Sequence, residues 1–373
     1  MKKNIQLIAI GLFVLCAYDA SASSPHVYAN YITANNIAAI QHSIATNTMR
    51  TFEGNAAATL GGIAKMARSD VMPSESGNAR DMYGTLPMYG RPHLYGEYGD
   101  DGTVNTPDTG RSGGDDASRP VLNSMWFNWQ HFDEDVGFSN YDVLNTNYDL
   151  LSFGVAGGEA QWGIGISEWG FYGGYVGGKQ GNESIDINEN GGYFGLYSGY
   201  NIQNFNLSFI ANIGAVSNHA SSEFGTDGFS TPWVGAALNA TYNIPLDDTF
   251  TIQPGIYAGY TWIGSADYIS ASGDNIANSN FNIFDVVPSI RAIKHIGAGW
   301  FGYIGLQYVF RYDYNGDIFV NNEKYTELFS DDYAEYGIGI EKSIDRFNIA
   351  LHLNRHDGGR TGWNGGVNIK YIF

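Results

Sequence analysis

The chain has 373 residues, 49 of them glycine, with 15% aromatic residues, 15% charged residues and a formal net charge of −19. An ordinary soluble domain carries about 25% charged residues, so the low figure sets this chain apart, and the acidic balance repels nucleic acid. Cys16 is the one cysteine, which excludes a disulfide-stapled scaffold.

Residues 1–22 read as a secretory signal peptide: Lys2 and Lys3 open it, residues 7–17 are apolar, and Ala20, Ser21 and Ala22 supply the small residues before the expected cut. Eleven apolar residues are too few for a spanning helix, which needs about 20. Cys16 follows the bulky Leu15, unlike the cysteine of a lipoprotein signal, and leaves with the peptide. Residues 23–120 form an N-terminal segment. Within it "ANNIAAIQHSIATNTM" places Ile37, Ile40 and Ile44 on one helical face, predicting a helix over 35–49. Residues 69–120 are rich in Gly, Pro, Asp and Ser and read as loop or disorder, because little apolar area is available there to offset ordering entropy.

All eight tryptophans lie after residue 120, and there the pattern changes to a period of two. Twelve candidate strands follow, from "SMWFNWQHF" to "GWNGGVNIKYIF", each near the 9 to 11 residues that a tilted strand needs to cross a bilayer. Phe347, Ile349, Leu351 and Leu353 oppose Asn348, Ala350, His352 and Asn354; Val234, Ala236 and Leu238 oppose Gly235 and Asn239. A soluble sandwich shows the same alternation, so the connections decide. Those after even strands are short ("GEA", "Q", "PLDD", "KHIGAG", "DR"), and those after the first five odd strands are long and polar. Outer-membrane barrels sort their turns and loops in this way. No apolar run of about 18 residues follows the leader, so a spanning protein has to be a closed barrel. The expected fold is therefore all-β: a 12-stranded antiparallel transmembrane β-barrel over 121–373, with a short N-terminal helix and a disordered or loop segment ahead of it.

With both termini periplasmic, Trp162 and Trp300 fall at the periplasmic rim and Trp233, Trp262 and Trp363 at the outer rim, the two aromatic girdles of a barrel. Trp169 is mid-strand and is read as pointing inward. Strand alternation gives a polar lumen lined by Asn128, Gln130, Asn239, Arg291, Gln307, Arg311, Glu335, Glu341, Asn348, His352 and Lys370. The acidic clusters "DEDVG", "SADY" and "SDDY" are read as solvated outer loops, with Ca²⁺ or lipopolysaccharide bridging as the alternative. No HExxH, GxSxG, phosphate-loop or EF-hand pattern occurs, so no catalytic, cofactor or metal residue is assigned. His352 and His356 share a strand face but sit roughly 13 Å apart, too far to chelate one ion.

Residues 121–373 resemble the translocator domain of autotransporters (type V secretion), on the strength of "GGYFGLYSGYNI", "IQPGIYAGYTWI", "DYAEYGIGIEKS" and the final "GWNGGVNIKYIF". The resemblance implies a monomeric barrel in the outer membrane of a Gram-negative bacterium, threaded by a helix and carrying the segment ahead of it to the surface. It also implies that Val367, Ile369, Tyr371 and Phe373 form the assembly signal read by the barrel assembly machinery, with periplasmic chaperones and outer-membrane lipids or lipopolysaccharide as the other partners. Some members cut themselves at an Asn-Asn pair in the helix, which here would be Asn35 and Asn36. The chain departs from the family in having about a dozen residues between leader and helix and some 70 between helix and first strand. The expected function is membrane anchoring with export or display of the short N-terminal segment. The alternatives are a stand-alone passive pore or structural envelope barrel and, third, an outer-membrane hydrolase.

Overall fold

The computed structural model describes residues 28–52, 122–138, 141–162, 165–278, 280–314, 316–326 and 332–373. The predicted leader and the Gly/Asp-rich stretch 69–120 lie outside them. Helix α1, Ala29–Phe52, is followed by twelve barrel strands: β1 Leu122–Phe138, β2 Tyr141–Trp162, β3 Gly165–Gly181, β4 Asp186–Ile202, β5 Phe205–Ser222, β6 Gly225–Tyr242, β7 Phe250–Ile263, β8 Phe281–Gly297, β9 Trp300–Tyr314, β10 Tyr333–Ile344, β11 Phe347–Gly358 and β12 Arg360–Ile372. Each pairs antiparallel with its neighbours, and β12 returns to β1 in a register running from Ser124↔Ile372 to Val136↔Arg360. The last residue takes part in this seam through a 2.9 Å hydrogen bond from Phe373 N–H to the Asn123 carbonyl. The ring is closed, so the barrel itself has no unpaired strand edge.

Side chains alternate between two faces. Phe127, Phe153, Phe194, Leu207, Leu238, Ile256, Ile304, Ile338 and Leu351 point outward and are exposed, while their sequence neighbours are buried or half-buried inside. An apolar exterior of this extent would aggregate in water. Around a closed barrel it is the surface that faces lipid. Among the described residues no helix is long and apolar enough to cross a membrane.

The strands are longer than the sequence pattern predicts. Much of the expected outer loop "DEDVGFSNYDVLNTN" belongs to β1 and β2, which pair up to Phe138↔Tyr141. Asp186–Ser221 and Ser222–Gly225 pairing likewise carries β4, β5 and β6 beyond the apolar belt. The backbone still pairs above the membrane, but the outer side chains there meet water, so the oily alternation that marks a strand disappears. The β7–β8 and β9–β10 connections form a second, four-stranded sheet from Tyr268–Ile269, Asn275–Asn278, Asp317–Val320 and Glu323–Thr326. Its central pairing, Ile276↔Val320 to Asn278↔Ile318, joins the two connections. Ile276, Ile318 and Val320 are buried in the same apolar cluster as Tyr31 and Ile37 of α1, so this small sheet lies over the N-terminal end of the helix.

Candidate functional site

Helix α1 occupies the lumen. It is longer than the predicted 35–49, and nearly every one of its side chains is buried. Ile37, Ile40, Ile44, Ala34, Ala38, Ala45 and Met49 pack with Trp126, Tyr172, Tyr193, Tyr197, Trp233 and Ile210 of the wall. Gly235 permits the approach: a side chain there would collide with Gln41. Gly214 similarly makes room for the Trp233 ring.

Polar residues tie the helix along its length. Near its N-terminal end the Tyr31 hydroxyl donates to the Gly316 carbonyl, and the Tyr31 ring meets Phe281 edge-on at 5.3 Å. Asn36 Nδ2 donates to Glu189 Oε2 (2.5 Å), whose other oxygen accepts from Gln180 (2.6 Å). Asn35 receives two guanidinium groups: Arg311 Nη1 donates to its side-chain oxygen (3.3 Å) and Arg360 Nη1 to its carbonyl (3.5 Å). In the middle, His42 meets the Tyr257 ring edge-on at 5.1 Å and lies 3.5 Å from Gln307 Nε2. At the other end Arg50 lies 4.0 Å from Glu335, Asn368 Nδ2 donates to Thr51 Oγ1 (2.8 Å), and Lys370 Nζ donates to the Thr51 carbonyl (3.3 Å). Arg360 opens β12 and Lys370 nears its end, so α1 runs from the long hairpins toward the short turns.

The guanidinium groups are themselves held. Arg311 makes a bidentate pair with Asp285 (2.9 and 3.0 Å). Arg360 Nε donates to Glu134 Oε2 (2.8 Å); Glu134 Oε1 lies 2.8 Å from His356 Nδ1, and His356 Nε2 lies 2.9 Å from Glu335 Oε2. Buried charges of this kind persist only when paired and hydrogen-bonded. Beyond them, toward the short turns, two cavities of about 80 and 50 Å³ lie between helix and wall and share Arg50, Arg291 and Tyr303. Among the described residues no group of three His, Cys, Asp or Glu side chains could hold a metal ion.

The predicted lumenal residues sit as follows. Asn128, Gln130, Arg311, Glu335, Glu341, Asn348 and Lys370 are buried inside the wall. Asn239, Arg291 and Gln307 line the larger cavity, while His352 lies 3.0 Å from Gln130 Nε2 and lines the smaller. Trp262, Trp300 and Trp363 are on the outer face: Trp262 pairs with exposed Val234, Trp300 lies under Lys342 Nζ (4.9 Å) and Trp363 under the Arg355 guanidinium (5.1 Å). The side chain of Trp162 lies outside the described residues. Val367, Ile369 and Tyr371 pair with outward-facing Trp129, Phe127 and Met125, and Phe373 stands edge-on to Tyr371 at 5.5 Å.

Three expectations require correction. Trp233 is no girdle residue; it is 1% exposed and donates to Asn212 Oδ1 (3.2 Å), because its alternation partner Val234 takes the outward face. Trp169 points outward, edge-on to Phe171 at 5.5 Å, for the same parity reason. The acidic clusters are not simply solvated: Glu134 of "DEDVG" is buried against Arg360, Tyr268 of "SADY" stacks on Phe229 at 5.2 Å, and Asp332 of "SDDY" accepts from the Arg311 amide (2.9 Å). Sequence reasoning also missed Asp285, Glu189, His356 and Arg360 as lumenal. Their parity with Ile283, Ile187, Asn354 and Asn364 was the available signal.

A closed antiparallel barrel with an apolar exterior is how strands cross a membrane, and this chain is an outer-membrane β-barrel. No protein-family model and no curated protein matches the sequence. Solved structures do. The transport unit of the autotransporter AIDA-I from Escherichia coli is 16% identical over 70% of this chain and 93% of that one, with a TM-score of 0.60. The β domain of the Bordetella autotransporter BrkA is 13% identical over 67% and 100% (TM-score 0.57), and the translocator domain of the autotransporter NalP from Neisseria meningitidis 11% over 68% and 89% (TM-score 0.56). At these identities the likeness is one of fold: a twelve-strand barrel of the autotransporter translocator type.

Proposed function

We propose that the protein anchors its own N-terminal segment through the barrel, presenting the residues ahead of Tyr28 at the cell surface, and that it does not serve as an open pore. The direction of α1 carries this reading: Asn35 is tied near the long-hairpin end and Thr51 near the short-turn end. In a barrel with short periplasmic turns, the N-terminal end of the helix is then the outer one. The likeness in fold to autotransporter translocators supports the same direction of passage. Asn35 and Asn36 act as clamp residues, and the role involves no reaction.

The test uses the absence of cysteine beyond the leader. In a His26→Cys chain, a membrane-impermeant maleimide should label intact cells, whereas Ser118→Cys should react only after the outer membrane is opened. The reverse pattern would overturn the reading. A second reading, the passive structural barrel, draws on the burial of Ala29 and Ile32 among Leu144, Ile185, Ile187, Ala220 and Phe229 of the long hairpins; protection of His26→Cys in both conditions would favour it. Intact-mass measurement addresses the clamp, since a new N-terminus at Asn36 would replace it with self-cleavage. Hydrolysis of phospholipid or peptide by the solubilised protein would replace the non-enzymatic role.

A further inference from the structure

We infer that the short-turn rim of β8–β10 binds the headgroup phosphate of an anionic phospholipid, between Lys294 and Lys342. The outward faces of these three strands are formed by alternate residues such as Ile290, Ile304 and Ile340, and the only charges on them are Lys294 and Lys342, both at the same end. Lys294 lies across from Gly302, and Lys342 across from Trp300 on the far side of the same strand, β9. The two stems are thus two strand spacings apart and offset by two residues along β9, about 12 Å, within reach of one phosphate. Gly302 leaves the surface between them without a side chain; the closest atom to a Cβ built there is Ile296 Cδ1, at 3.3 Å.

Each ammonium is positioned but not used up. Lys294 Nζ donates to Thr249 Oγ1 (2.7 Å) and lies 5.7 Å from the Phe250 ring centre. Lys342 Nζ donates to the Ala298 carbonyl and lies 4.9 Å from the Trp300 ring centre. An ammonium has three donors, so each keeps N–H groups for a ligand. Asp247, in the turn with Thr249, offsets part of the charge; hydrogen bonds from the Thr249 hydroxyl and amide hold its carboxyl below the usual range. Arg346 in the β10–β11 turn adds a third cation, beside Asp345. The outer-rim cation Arg355, by contrast, already lies 3.4 Å from Asp357. A phosphodiester at the rim would complete the charge while its acyl chains run along Ile304 and Ile340; in the orientation proposed above, the short-turn side faces the periplasmic, phospholipid leaflet.

Full-length protein in detergent is mixed with equal amounts of phosphatidylglycerol and phosphatidylcholine, and retained lipid is counted by native mass spectrometry. The wild type should retain phosphatidylglycerol about tenfold over phosphatidylcholine. K294Q/K342Q should bring the ratio to one, and K179Q/R355Q, which changes Arg355 and the exposed Lys179 near the long-hairpin end of β3, should leave it unchanged, each variant being checked for the heat-dependent gel shift of a folded barrel. K342Q alone should give an intermediate ratio, and it stands as the test if the double variant does not assemble. No preference in the wild type, a preference that survives K294Q/K342Q, or one lost only in K179Q/R355Q would overturn the site.

Discussion

The two halves of the lumen wall hold the same helix by different physics. Strands β1–β6 present mostly rings, among them Trp126, Phe132, Tyr148, Tyr172, Tyr193, Tyr197 and Trp233. Strands β7–β12 carry most of the charge: Asp285, Arg291, Arg311, Glu335, Glu341, His356, Arg360 and Lys370. Burial against rings is non-directional and adapts to small shifts. An ion-pair network fixes position and rotation, because each misplaced partner leaves a buried charge uncompensated. The first half therefore supplies adhesion and the second supplies register.

Breaking the second half should cost most. Arg360→Met leaves Glu134 buried beside His356 alone, an expected loss of about 3–5 kcal/mol, read as a lower temperature for the gel shift. Adding Glu134→Gln should recover much of it. The first half should yield less to a single change: Trp233→Phe keeps an aromatic ring, though a smaller one, and removes the donor to Asn212, for about 1–3 kcal/mol. An equal loss in both variants would erase the distinction.

The seam between the halves at β12 and β1 can be probed at Phe373. Removing it takes away one lipid-facing ring, about 1.5–3 kcal/mol if fully buried, and the terminal amide bond to Asn123. Inserted protein should fall well below the level of Phe224→Ala, a ring in an outer hairpin; equal levels would assign the ending no part in closure. The smallest effect is expected from Asn368→Ala, which removes one donor to Thr51 and should cost about 0.5–1.5 kcal/mol.

The barrel was legible because lipid imposes a strict rule on one face of every strand, so the period of two survives in Phe347–Leu353 and in Val234–Leu238. The outer hairpins escaped because paired backbone in water needs no apolar face. The lumen was only half legible. Alternation implied polar interior residues, and Asn128 and Glu335 are such residues. Trp126, Tyr172 and Trp233 are interior too, since a helix displaces water from that half and turns it into a core. Which wall it would lean on is a tertiary fact that no strand records. The Trp233 error was avoidable: a position at a rim does not set a face, and parity with Val234 does.

Helix α1 is 24 residues long, or about 36 Å at 1.5 Å per residue, so its attachments are spread along nearly the full height of the wall. A pull on its outer end acts along the helix axis. The ties at Tyr31, Asn35, Asn36, Arg50 and Thr51 then bear load together in shear instead of opening one after another, and the closed hydrogen-bonded ring gives the load no edge from which to peel. Mechanically the molecule is a cleat: in the proposed orientation, whatever is joined to Tyr28 can be tugged from outside while the membrane carries the strain.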